Sequence, residues 1–148
     1  MDNRYWDADG VVPGVGSGPS CMLDEPLSFW GGYDANAGRI IEAHHPQYDT
    51  ALADVILLMS RAKGSSSSSS VLAEAIRKGT GPAAIVMRER DLIVALGCIV
   101  ASELYAAQVP IAVVDADTWS QLASLPPGTR LRVEAGEESG RIYYASTH

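Results

Sequence analysis

The functional groups with the most chemical promise lie in one short run, Gly64 followed by Ser65, Ser66, Ser67, Ser68, Ser69 and Ser70, within "RAKGSSSSSSVLAEAIRKG". Serines behind a glycine commonly mark a flexible linker. They also suit a junction where a strand passes into a helix. The first helical turn leaves backbone N–H groups without partners, and the helix dipole favours negative charge there. Gly64 lets the chain turn tightly, and neighbouring serines can cap the helix while leaving their own amides free. Such a junction is a site for a carboxylate or a phosphate. A helix cap with surplus serines explains the same run without any ligand. No capping box is present, because Glu74 lies three residues after Val71 rather than after a serine.

The flanking elements decide between linker and junction. "DVILLMS" (54–60) is a compact apolar run, the mark of a strand buried on both faces. After the serines, Leu72, Ala75 and Ile76 stand at helical spacing, and Lys78 followed by Gly79 makes a good helix ending. A linker should separate segments that each fold, and a cut here would part a strand from its crossover helix. The run therefore reads as a strand–loop–helix junction. "PAAIVMRE" (82–89) reads as a second buried strand, "DLIVALGCIVASELYAAQ" (91–108) as a helix with Asp91 as N-cap, and "VPIAVVD" (109–115) as a third buried strand. Strand–helix–strand–helix–strand implies a parallel sheet with crossover helices.

The ends of the chain read differently. The first thirty residues are rich in Gly and Pro with short strand-like pieces such as "SCMLDEP", and a short strand falls around Arg39 to Glu42. Near the C-terminus "GTRLRVEA" alternates strictly, and "GEESG" turns it into "RIYYAS", an antiparallel hairpin. The expected fold class is α/β, a parallel β/α core with additional antiparallel strands, in a single domain spanning residues 1–148.

Bulk properties exclude several functions. The chain has 148 residues, a hydrophobic share of 47%, a charged share of 20% and a net charge of −7. That is globular composition, and its sign repels a nucleic-acid backbone, so no nucleic-acid partner is expected. The longest apolar stretch, Leu92 to Ala101, spans about half of the roughly 20 residues that cross a bilayer, so no membrane partner is expected. The N-terminus shows no basic start followed by an apolar run, so a cytoplasmic protein is expected. Cys21 and Cys98 are two thiols far apart in sequence, read as reduced. Alone they are too few for the thiolates that usually hold an iron–sulfur cluster, so no cofactor is expected on this chain by itself.

Several segments together resemble the small subunit of the aconitase X family, whose swivelling domain partners a larger cluster-bearing chain. The matching pieces are "PLSFWGG" with Asp34 shortly after, "GRIIEAHHP", "AKGSSSS", "PAAIVMRE" and "ALGCIVASELY", covering roughly residues 26–115 in order. The resemblance implies a swivelling β/β/α domain docked on a large subunit that carries iron or an iron–sulfur cluster. It implies Ser65 as the catalytic base of a dehydratase (hydro-lyase), with Gly64, Ser66 and Ser67 as the cradle for a small carboxylate substrate. The substrates it points to are cis-3-hydroxy-L-proline first and phosphomevalonate second. Aconitases proper carry Gly-Ser-Ser-Arg here, the arginine gripping a carboxylate. This chain has Ser67 at the fourth place, so a citrate-like substrate is disfavoured; Lys63 and Arg61 are expected to be solvated on the loop flank, with compensation for the missing arginine as the alternative.

Other residues have blander expectations. His44 and His45 precede Pro46 in a turn-like setting and are read as surface or capping residues, with substrate contact as the alternative. Phe29, Trp30 and Tyr33 form either an interface wall or core. Asp34 is expected to shape a turn, and Glu103 and Tyr105 to end the second helix in solvent. A phosphocarrier domain would need a histidine in the helix-start loop, and residues 60–72 hold none. A non-catalytic scaffolding module remains open.

Overall fold

The computed structural model describes residues 4–145. In chain order the elements are β1 (Tyr5–Val12), β2 (Gly14–Met22), a short turn α1 (Phe29–Gly32), β3 (Tyr33–Asp34), β4 (Arg39–Ile40), β5 (Ile56–Leu58) and α2 (Ser68–Lys78). There follow β6 (Ala84–Met87), α3 (Leu92–Tyr105), β7 (Ile111–Val113), α4 (Ala116–Ala123), β8 (Arg130–Ala135) and β9 (Ser139–Tyr144). Seven strands close into a barrel in the order β1-β7-β6-β5-β2-β8-β9, and β3 and β4 pair separately. Strands β2, β5, β6 and β7 run parallel, while β1, β8 and β9 close the barrel with antiparallel pairs.

The β/α core and the antiparallel terminal strands match the sequence expectation. Residues 5–22 are more regular than the short strand-like pieces expected there. They form two long strands of 8 and 9 residues, and β2 pairs parallel to β5 as well as antiparallel to β8. Glycines hide this from composition. Gly16 and Gly18 are strand residues whose missing side chains let β2 pass the backbone of neighbouring segments. A Cβ on Gly16 would lie 2.1 Å from the Ala83 carbonyl oxygen, and one on Gly18 would lie 2.2 Å from that of Asp54. Helix α4 also escaped the sequence reading, because its eight residues carry only two large apolar side chains, Trp119 and Leu122. Asp115 starts it by accepting from the Thr118 amide at 2.8 Å.

The apolar runs are continuous because each central strand has two buried faces. Ile56, Leu58, Ala84, Val86 and Ala112 belong to one core with Leu131, Val133, Ile142 and Trp6 from the closing strands, and Leu122 of α4 packs on it. The alternate residues Leu57, Met59, Ile85, Met87 and Ile111 pack instead with Leu72 and Ile76 of α2 and Val94 and Cys98 of α3. One core fills the barrel and the other glues the helices to it.

Both cysteines are free thiols. Burial pushes the Cys98 thiol up to about 12, and the partly exposed Cys21 is also raised by burial. The thiolate is the reactive form. An alkylating reagent is therefore expected to label Cys21 first and to reach Cys98 only on unfolding, as read by intact-mass spectrometry. Equal labelling rates in the native protein would contradict this burial.

Candidate active site at the serine turn

The site is assembled by three segments: the end of β5, the serine turn and α1. After Leu58 the chain leaves the barrel, and the Lys63 amide donates to the Leu27 carbonyl at 3.3 Å. Gly64 then takes φ +109, where a side chain is strained. It also packs against Ser28 so closely that a Cβ would sit 2.1 Å from Ser28 Oγ and 2.9 Å from Ser28 Cβ. The turn that follows is closed by bonds from the Ser68 amide to the Ser65 carbonyl (3.0 Å) and from the Ser69 amide to the Ser66 carbonyl (3.2 Å). Helix α2 begins at Ser68 and ends, as its sequence predicts, with Gly79 in the left-handed region.

The serines do different jobs although they look alike in sequence. Ser67 occupies the N-cap position of α2 yet makes no side-chain cap bond. Its amide instead donates to Ser65 Oγ at 3.3 Å. Ser68 is buried, and its Oγ accepts from the Trp30 amide at 3.1 Å. Ser69 Oγ donates to the Ser66 carbonyl at 2.9 Å. Ser65, Ser66 and Ser67 are exposed. The amides of Gly64, Ser65 and Ser66 have no hydrogen-bond acceptor among the described residues. A hydroxyl that receives one N–H, beside three unpartnered N–H groups, is an arrangement that favours negative charge.

Ser65 opens into a recess of about 60 Å³ that Lys63, Gly64, Ser68 and the start of α3 also line. Asp91 forms part of that wall, and its Oδ1 accepts from the Ile93 and Val94 amides at 2.9 Å each. This is the N-cap anticipated from sequence. A larger groove of about 740 Å³ lies elsewhere, along β1, β2, β8 and β9, and none of residues 65–70 lines it.

The "SFWGG" segment is the clamp that holds this turn. Ser28 Oγ donates to the Trp30 carbonyl at 2.8 Å while Ser28 packs on Gly64. Gly31 at φ +79 lets α1 reverse so that the Trp30 amide meets Ser68. Phe29 and Tyr33 are core, stacked edge to face at 5.5 Å, whereas Trp30 stays 60% exposed. Sequence reasoning missed the roles of Ser28 and Ser68. Their signal is a contact between residues some forty positions apart, which spacing does not reveal.

The remaining candidates are structural. His45 is buried, with Nδ1 accepting from the Gln47 amide and Nε2 placed 3.0 Å from the Glu25 carbonyl, an arrangement that suits a proton on Nε2. His44 is exposed. Asp34 shapes its turn by accepting from the Asn36 and Ala37 amides. Glu103 and Tyr105 end α3 on the surface. Among the described residues, no group of three or more His, Cys, Asp or Glu is placed to hold a metal ion, and no helix is long and apolar enough to cross a membrane.

The family model described as the aconitase X swivel domain matches residues 5–142. The chain belongs to this family. It is 41% identical over 116 residues to cis-3-hydroxy-L-proline dehydratase from Pseudomonas aeruginosa, covering 78% of this chain and 20% of that protein. It thus spans about a fifth of the length of that relative. It is also 34% identical over 133 residues to the phosphomevalonate dehydratase small subunit from Pyrococcus furiosus, covering 90% of each chain. Among solved structures, the holo form of aconitase X from Thermococcus kodakaraensis matches with a TM-score of 0.78 at 26% identity, covering 95% of this chain and 99% of that one. The mixed parallel and antiparallel barrel is thus the swivel-domain fold of the aconitase X family.

Proposed function

We propose that this chain is the small subunit of an aconitase X type hydro-lyase that works with a large subunit and supplies Ser65 as its base. The observation that supports this reading most is the setting of Ser65. Its oxygen receives the Ser67 amide, next to the unpartnered amides of Gly64, Ser65 and Ser66, at a recess that Gly64 and Ser65 help to line. Serine is a poor base in water because its alkoxide is costly. An N–H aimed at the oxygen, in a recess that a docked partner closes to water, lowers that cost.

The relatives' named substrates share one chemical unit, a carboxylate whose α-carbon carries the proton and whose β-carbon carries the hydroxyl. The Ser65 alkoxide, its own proton released to solvent, takes the α-proton. The C–H electron pair forms the new C=C bond, and the hydroxyl leaves with the C–O pair as hydroxide. A metal centre, which this reading places on the large subunit, would act as a Lewis acid for that departure. The free amides of Gly64 and Ser66 hold the carboxylate, and Ser67 holds the base. The favoured substrate is cis-3-hydroxy-L-proline, named for the relative with 41% identity. Phosphomevalonate is the second reading, supported by the relative whose length the chain nearly fills.

The test is to reconstitute the chain with its large subunit and assay dehydration of both substrates. Ser65→Ala is expected to cut turnover by about a thousand-fold in an assembled complex, while Ser69→Ala stays within about ten-fold. Undiminished turnover of Ser65→Ala would leave the chain a scaffolding role.

A further inference from the structure

We propose that Lys63 is the carboxylate-positioning residue of the serine recess, standing in for the arginine that this chain lacks. The inference deepens the dehydratase reading and rests on it. Lys63 and Ser65 flank Gly64 and line the same recess, in which Lys63 is the only cation among the described residues. Arg61, the other basic residue of the loop, is exposed and lines no part of it.

Lys63 is anchored twice. Its amide bonds the Leu27 carbonyl, and its Nζ bonds Glu42 Oε2 at 3.1 Å. Glu42 is held in turn against α1, where a Cβ on Gly32 would lie 3.3 Å from Glu42 Oε1, and the Ile41 amide donates to the Gly32 carbonyl at 2.8 Å. An ammonium has three donors, and Glu42 takes one. The pair is partly solvated, with side-chain exposures of 45% and 25%, so it orients the lysine without neutralising it as a buried pair would.

Charge balance calls for such a cation. Asp91 contributes an acidic wall to the recess, which opposes an incoming carboxylate. The amide cradle offers only partial charges. As the α-proton leaves, electron density flows into the substrate carboxylate, so an ammonium beside it acts more strongly in the transition state than in the ground state. One cation suits one carboxylate, which narrows the substrate class to β-hydroxy monocarboxylates at this subsite.

The experiment uses the complex reconstituted with the large subunit and a planar inhibitor pair, pyrrole-2-carboxylate and pyrrole-2-carboxamide, that differ by one charge. Lys63→Met is expected to raise KM and to weaken carboxylate inhibition by about 10- to 100-fold, with the carboxamide unaffected. Lys63→Arg is expected to recover most of the discrimination, and Arg61→Met to leave it unchanged. Full discrimination in Lys63→Met and in a second variant, Lys63→Gln, with Ser65→Ala inactive, overturns this inference and spares the serine base. An active Ser65→Ala with lost discrimination in Lys63→Met overturns the base instead.

Discussion

Gly64→Ala is expected to abolish most dehydration in the assembled enzyme while leaving the barrel folded. Two costs fall on the same atom. The backbone at φ +109 disfavours any side chain by about 1–3 kcal/mol, and the new methyl meets Ser28 Cβ at 2.9 Å as well as Ser28 Oγ at 2.1 Å. Rotating the Ser28 hydroxyl removes the second contact and leaves the first. The turn must therefore shift, and with it Ser65, whose proposed role as the base depends on an amide aimed at its oxygen. A displacement of about 1 Å costs on the order of a hundred-fold in rate. Because the turn lies outside both cores, the melting temperature is expected to fall by only a few degrees. Ser28→Gly in the same chain should return part of that stability by removing the clash, while the φ cost and most of the activity loss remain. Wild-type turnover in Gly64→Ala would show that the turn geometry does not matter.

The largest loss of stability is expected at Gly16, far from the serines. Its Cβ would lie 2.1 Å from the Ala83 oxygen, 2.8 Å from the Ala83 carbonyl carbon and 3.2 Å from Ala84 Cβ. Two of these are backbone atoms at the start of β6, so no rotamer change relieves them. Gly16→Ala is expected to cost about 3 kcal/mol or more, read as a lower denaturant midpoint. Gly128→Ala is the matched control. It also strains a positive φ, of +81, but has nothing within 4 Å, and about 1 kcal/mol is expected. Equal losses at the two positions would mean that close approach across the barrel is not what β2 requires of Gly16.

The sequence was most legible where local signals and tertiary needs coincide. The runs around Ile56–Leu58, Ala84–Met87 and Ile111–Val113 are apolar without a break because both faces of each strand are buried, and Asp91 and Gly79 mark helix ends by capping chemistry alone. Legibility failed where side chains are absent or the pattern is short. Strand β2 is "GVGSGPSCM", whose glycines read as turns, although they are there because the strand crosses neighbouring backbone. Helix α4 spans only eight residues with an i, i+3 pair of large apolar side chains, and its burial of Leu122 against the barrel core comes from topology.

By itself the sequence determined that Gly64 and its serines join a buried strand to a helix, because severing them would leave neither element able to bury its apolar face. It also carried the family's motifs in order. Only the tertiary structure decided which serine is which. Ser68 is spent on Trp30, Ser69 on its own turn and Ser67 on aiming an amide, which leaves Ser65 open to the recess. Six identical side chains have identical propensities. What separates them is the partner each finds: Ser67 and Ser69 bond within the run, while Ser68 meets the Trp30 amide, a contact that exists only once residues 28–32 have folded back over the turn.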